Sequence, residues 1–307
     1  MSKNNYEKGS RGFLYYAHNN EIINYLRLAI CSATTAKYQI PTFRAMVVTD
    51  DSSLASLRRD DRKILENLFE EIKIDNDYTN KRENKRVMLD GDDRHGAHLW
   101  HNGTRSNALT DSIYDETIMV DVDFLFQDNN LDKLWGSQVP LMMNKHVIPA
   151  INETHSKKSN FKSFDKLGNF TLPMYWATVV YFNRSEFTEN FFNLVNHVKD
   201  NYFYYQKLYQ VADRLYRNDY SFSIALYISN GNRMPGPEWE IPYKFVLSTQ
   251  KDKIGRIDKG QIKLIISTYD WKAPKQLFNV QKTSLHCMNK ISLLNRYEEL
   301  MTVYDDE

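Results

Sequence analysis

Residues 12–17, Gly12-Phe13-Leu14-Tyr15-Tyr16-Ala17, form an apolar and aromatic run that reads as a strand. His18-Asn19-Asn20 ends it with polar side chains suited to a helix N-cap. Ile22, Ile23, Leu26, Ala29, Ile30 and Ala33 then recur at helical spacing, which predicts a helix running to Lys37 and broken at Ile40-Pro41. Arg44-Ala45-Met46-Val47-Val48-Thr49 predicts a second strand closed by Asp50-Asp51-Ser52. A second helix is predicted over 60–72, with Ile64, Leu65, Leu68 and Phe69 on one face. Strand, helix, strand, helix in that order signals an α/β protein with a mostly parallel central sheet flanked by helices. Ligands of such sheets bind beyond the carboxyl ends of the strands.

The same pattern continues. Strands are predicted over 141–143, 174–182 and 262–267. Ser185 caps a long helix with Phe187, Phe191, Leu194, Val195 and Val198 on one face. Helices also fit 219–229 and 289–304, the latter amphipathic. The charged stretch 75–93 and the polar stretch 152–169 read as surface loops.

One run changes the picture from architecture to chemistry. Thr117-Ile118-Met119-Val120-Asp121-Val122-Asp123-Phe124-Leu125-Phe126 is a buried-strand pattern carrying two alternating carboxylates. Strand side chains alternate faces, so Asp121 and Asp123 are expected on one side and Val122 on the other. Carboxylates at the end of a buried strand are costly to desolvate unless paired. A hard divalent cation that also grips phosphate oxygens is the natural partner. D-x-D is otherwise common in loops and caps.

Other residues could complete such a site. Arg105 enters the D-x-D strand and could fork onto a phosphate or a carboxylate, or be a solvated surface arginine. Asp219 at a helix start is either an N-cap or a carboxylate that takes an acceptor proton. His286 and Lys290, four residues apart, could close a metal–diphosphate site from the far end of the chain. His95, His98 and His101 share a spacing of three, but Gly96 and Gly103 argue against a helix that would align them as zinc ligands.

Composition narrows the class further. The 307 residues carry a net charge of +1, which argues against nucleic-acid binding by bulk charge alone while leaving room for a local basic groove. Cys31 and Cys287 belong to no C-x-x-C pattern, so neither a zinc knuckle nor a disulfide framework is expected. No stretch approaches the ~18 continuous apolar residues a membrane span requires, and residues 1–11 lack an apolar signal core. The expectation is a cytoplasmic protein with no membrane partner.

Several segments together resemble a known group. Gly12 to Asn20 with Tyr25-Leu26-Arg27-Leu28-Ala29, Trp100 to Ser106, and Tyr114-Asp115-Glu116-Thr117 leading into Val120-Asp121-Val122-Asp123 resemble glycosyltransferase-like proteins of T-even-type and related tailed phages. Tyr175 to Phe182, Tyr216-Arg217-Asn218-Asp219-Tyr220 and His286-Cys287-Met288-Asn289-Lys290 continue the likeness in order. The resemblance implies a GT-A fold, a Rossmann-like nucleotide-sugar domain with a D-x-D metal site. It implies one domain over 1–307, with 1–126 as the nucleotide-binding half and 127–307 as the acceptor half. Carried over by position, Asp121, Asp123 and His286 would hold Mn²⁺ or Mg²⁺. Asp121 would also meet the ribose, Lys290 the diphosphate, and Ala17, His18 and Asn19 the nucleoside. Arg105 would lie near the donor, and Trp176, Asp219 and Tyr220 near the sugar or acceptor.

The expected activity is metal-dependent transfer of an arabinose- or glucose-like sugar from a UDP-sugar to 5-hydroxymethylcytosine in phage DNA, with the base exposed to reach the site. Two alternatives stand beside it: transfer to a protein or cell-envelope glycan, and a non-catalytic nucleotide-sugar or DNA-binding module.

Overall fold

The computed structural model describes residues 7–77, 84–87, 97–100, 103–150, 166–167, 172–211, 216–266 and 276–304. Most of the charged stretch 75–93 and of the polar stretch 152–169 lies outside these residues. So do His95 and His101 of the histidine triplet, with the side chain of His98.

The large sheet is built from β1 (Glu7–Tyr16), β2 (Ala45–Thr49), β3 (Glu71–Ile74) and β4 (Tyr114–Val120), all parallel. The chain then makes a two-residue strand, β5 (Phe124–Leu125), followed by β6 (Leu141–Asn144), β7 (Val147–Pro149) and β8 (Trp176–Asn183). The order across the large sheet is β3-β2-β1-β4-β8-β6, and β8 runs antiparallel to both its neighbours. This is the mixed, mostly parallel sheet flanked by helices that the sequence predicts.

Both faces of the sheet's centre are covered, which is why runs such as Phe13–Tyr16, Ala45–Val48 and Ile118–Val120 are apolar throughout rather than alternating. Phe13 and Tyr15 of β1 join Val47, Ile118, Val179 and Tyr181 under the helix α1 (Tyr25–Gln39). Leu14 and Tyr16 join Met46, Met119, Val180 and Phe182 on the other face. The helix α2 (Arg59–Leu68) packs beside α1. The second face is closed by α3 (Glu186–Asp200) and α4 (Asn218–Ser229), which contribute Phe191, Phe192, Val195, Phe222 and Leu226. Each fully buried aromatic or branched side chain here contributes about 1.5–3 kcal/mol.

A second, small sheet has the order β5-β13-β9-β7, with β9 (Phe245–Leu247) and β13 (Leu285–His286) parallel and β5 antiparallel to β13. Between them in sequence, β10 (Lys253–Asp258), β11 (Gln261–Ile266) and β12 (Gln276–Gln281) form an antiparallel meander. The predicted closing helix is two, α5 (Lys290–Leu294) and α6 (Tyr297–Tyr304), separated by Asn295 and Arg296. Among the described residues, no helix is long and apolar enough to cross a membrane.

Three local expectations change. The N-cap of α1 is Asn24, whose side chain accepts the Arg27 N–H; Asn20 instead folds back onto the N–H groups of Ile22 and Ile23. Ile72 belongs to β3, because the helix predicted over 60–72 stops at Leu68. The D-x-D run is not one strand. β4 ends at Val120, Phe124 N–H bonds back to the Asp121 carbonyl at 3.1 Å, and the chain leaves the large sheet to enter the small one. Asp121 and Asp123 therefore converge through a turn, not through strand alternation.

Candidate active site

The carboxyl ends of β1 and β4 and the amino end of antiparallel β8 meet at one edge of the large sheet. A cleft opens there, lined by His18 after β1, Asp121 and Asp123 after β4, and Trp176, Ala177 and Thr178 at the start of β8. The far wall comes from Arg217 and Asp219 at the head of α4, and the near wall from His286 on β13 and Lys290 on α5.

The turn and the small sheet explain how distant residues arrive together. Phe124 pairs with His286 across β5 and β13, and Cys287 N–H bonds to the Asp123 carbonyl at 2.9 Å. His286 Nε2 thereby lies 3.3 Å from Asp123 Oδ1 and 3.5 Å from Asp121 Oδ2. One ligand atom from each of Asp121, Asp123 and His286 lies within 4.8 Å of the others. Asp123 is 2% exposed, so its charge must be matched inside the protein. Lys290 Nζ does so from 3.0 Å. Lysine at the first position of a helix opposes the helix dipole, so Lys290 sits there at some local expense that Asp123 offsets.

Burial pushes the Asp123 carboxyl up, and Lys290 and then His286 more than reverse that, holding it well below the usual carboxylate range. Arg105 forms an ion pair with Asp121 and donates to the Ala177 carbonyl at 3.3 Å. Burial draws its guanidinium below the ordinary value, against the pull of Asp123 and Asp219. Asp219 is not the N-cap of α4, a position Arg217 occupies. Its carboxylate takes the Ala177 N–H at 2.9 Å and the Arg217 guanidinium at 2.7 Å.

The donor set is two carboxylates and an imidazole, hard to borderline ligands that suit Mn²⁺ and, with fewer protein contacts, Mg²⁺. Among the described ionisable lining residues, three acids (Asp121, Asp123, Asp219) face three bases (Arg105, Arg217, Lys290). Counted without its histidines, this described lining is formally neutral. Adding a divalent cation makes it doubly positive, and a doubly negative diphosphate would restore the balance.

Of the residues singled out in the sequence, Asp121, Asp123, His286, Lys290, Arg105, Trp176, Asp219 and His18 all line this cleft. Ala17, Asn19 and Tyr220 do not. Ala17 is fully buried, its N–H on the Val48 carbonyl and its own carbonyl accepting from Thr49. Asn19 ties the loop together, accepting from Leu26 N–H and donating to Ser53 and Ser56. Tyr220 is 9% exposed, stacked on Tyr202 and lying beneath the Arg217 guanidinium. Asp50, at the carboxyl end of β2, caps the short helix Asp51–Ala55 through Ser52 and Ser53. Arg217 and Thr178 are cleft residues whose side chains carry no periodic signal in the sequence.

The sequence matches no protein-family model and no curated protein. The fold resembles solved glycosyltransferase structures. The galactosyltransferase LgtC in complex with donor and acceptor sugar analogs is 13% identical, with 70% of each chain covered and a TM-score of 0.42. Mouse xyloside xylosyltransferase 1 in its apo form is 10% identical over 74% of this chain and 85% of that one, at a TM-score of 0.39. The glycosyltransferase GlyE of Streptococcus pneumoniae is 8% identical over 71% of this chain and 43% of that one, at 0.37. At such identities and TM-scores none of their chemistry carries over, and the cleft itself has to bear the functional reading.

Proposed function

We propose that this chain is a metal-dependent glycosyltransferase of the GT-A type that takes a sugar from a UDP-sugar and places it on 5-hydroxymethylcytosine in phage DNA. The observation that carries the transferase reading is the meeting of Asp121, Asp123 and His286 with Lys290 and Arg105 in one charge-balanced cleft. A nucleotide diphosphate is the ligand whose charge this cleft lacks once a divalent cation joins it.

In this reading Asp121, Asp123 and His286 hold Mn²⁺ or Mg²⁺. When bound, the cation supplies electrostatic neutralisation of the charge that builds on the departing diphosphate. Lys290 and Arg105 add fixed positive charge around the same group. His18 borders the nucleoside, and Trp176 offers an apolar wall to the sugar. Asp219, its carboxylate oriented by Ala177 N–H and Arg217, receives the proton of the acceptor hydroxyl. The choice of hydroxymethylated DNA rests on the resemblance in sequence, and the base would reach the cleft flipped from its stack.

Incubation with Mn²⁺ and a panel of UDP-sugars, followed by mass spectrometry of nucleosides, tests this directly. The expected result is a hexose or pentose mass gain on hydroxymethylcytosine DNA and none on plain cytosine DNA. UDP release without any DNA product would move the acceptor to a glycan or protein. No Mn²⁺-dependent UDP release from any donor would reduce the chain to a binding module.

A further inference from the structure

We infer that Thr178 is the positioning residue of the metal site, an assignment that rests on the metal-dependent reading above. Thr178 is 2% exposed and is the third residue of β8. Its backbone carbonyl accepts the Asp121 N–H at 2.9 Å. Its hydroxyl lies 3.2 Å from Nδ1 of His286. One residue therefore touches two of the three groups that face each other across the site.

The hydroxyl contact has a chemical consequence. An imidazole ligates a metal through a ring nitrogen that carries no proton. Nε2 is the nitrogen turned toward Asp121 and Asp123, so a ligating His286 must carry its proton on Nδ1. Nδ1–H then needs an acceptor, and in this buried place the acceptor is the Thr178 oxygen. The Thr178 hydroxyl supplies the acceptor that this tautomer requires and holds the ring plane. The alternative tautomer points an N–H at the carboxylates where the cation would sit.

Valine at this position keeps the shape and the backbone carbonyl, so the hold on Asp121 is unchanged and only the acceptor is lost. Serine restores the acceptor. The test uses Mn²⁺ alone, with the free ion followed by electron paramagnetic resonance and ¹⁴N coupling to the bound ion by electron spin echo spectroscopy. Expected for T178V is a loss of Mn²⁺ affinity of about 10–100-fold and a weakened ¹⁴N signal. T178S should recover both, and the urea unfolding midpoint of T178V should report a folded protein. If T178V does not unfold cooperatively, T178A carries the same expectation, since it removes the hydroxyl without placing a methyl against Nδ1. Wild-type affinity and ¹⁴N coupling in T178V or T178A would overturn the assignment and leave the transferase reading intact. A wild-type protein that binds no Mn²⁺ would overturn both.

Discussion

Asp123 concentrates the conflict between stability and chemistry at the residue scale. It is an almost fully buried carboxylate held by Lys290 and His286, and it is also the central candidate ligand. Removing one partner of a buried ion pair leaves the other charge uncompensated, at about 3–5 kcal/mol. Asp123→Asn keeps the shape and deletes the charge, so it should lower the urea-derived unfolding free energy by that order. In the same variant transfer should fall by at least about 100-fold, the scale of losing one fixed electrostatic group in an active site. A conservative change such as Asp219→Asn differs in kind. Its carboxylate is also paired, but with the backbone of Ala177 and a guanidinium at the cleft wall.

At the scale of elements, the strands of the large sheet were legible because runs such as Met46-Val47-Val48 are apolar on both faces, and α3 because Ser185 caps a clean apolar stripe. The D-x-D turn was not. Its apolar run continues from one sheet into another, and the sequence pattern cannot tell a turn between two buried strands from one longer strand. The β10–β12 meander was legible only in β11, since β12 alternates exposed Leu277, Asn279 and Gln281 with half-buried Gln276 and Phe278 and a single buried Val280. The acids, His286 and Lys290 of the cleft were readable because they are scarce residue types for apolar surroundings, whereas Ala17, Asn19 and Tyr220 lie outside its lining. The supporting contacts of Thr178 were not readable, because they depend on which strand starts beside the turn. Another junction hidden from the sequence is Asp61, where α2 meets α1 and α6. Its buried carboxylate accepts from Arg27, Arg58 and Tyr297. Burial raises its pKa, and Arg58, Arg27 and Tyr297 together bring it below the ordinary aspartate value. The folded pKa lies below the unfolded one, so the stabilisation is fully present above about pH 4 and drains away as pH falls through the folded value. Asp61→Asn should therefore cost about 3–5 kcal/mol near neutrality and progressively less in acid. Asp60→Asn, at an 89% exposed site one residue away, should stay within about 0.5 kcal/mol throughout. Unfolding free energies measured from pH 7 down to pH 3 separate the two.

Over the whole molecule, the site joins groups from residue 18 to residue 290, so anything that binds there bridges the large sheet, the small sheet and the heads of α4 and α5. The candidate ligands already share their charge with protein cations: Asp123 with Lys290 and Asp121 with Arg105. A divalent cation entering alone competes with those bases and leaves the cleft doubly positive. A nucleotide diphosphate entering alone meets three carboxylates. Together they satisfy one another and give Lys290 and Arg105 a new anionic partner, so each should strengthen the other's binding by the same factor, on the order of 5–150-fold. A ligand present at about 100 times its Kd raises stability by about 2.7 kcal/mol, which makes thermal unfolding a direct readout. The Tm increase with Mn²⁺ and UDP together should exceed the sum of the increases with each alone. Lys290→Met removes both the competitor for Asp123 and a phosphate partner, so Mn²⁺ alone should stabilise the variant more than the wild type, while the extra gain from adding UDP shrinks. Additive Tm shifts in the wild-type protein would separate cation from nucleotide and dismantle the charge-balance account of the cleft.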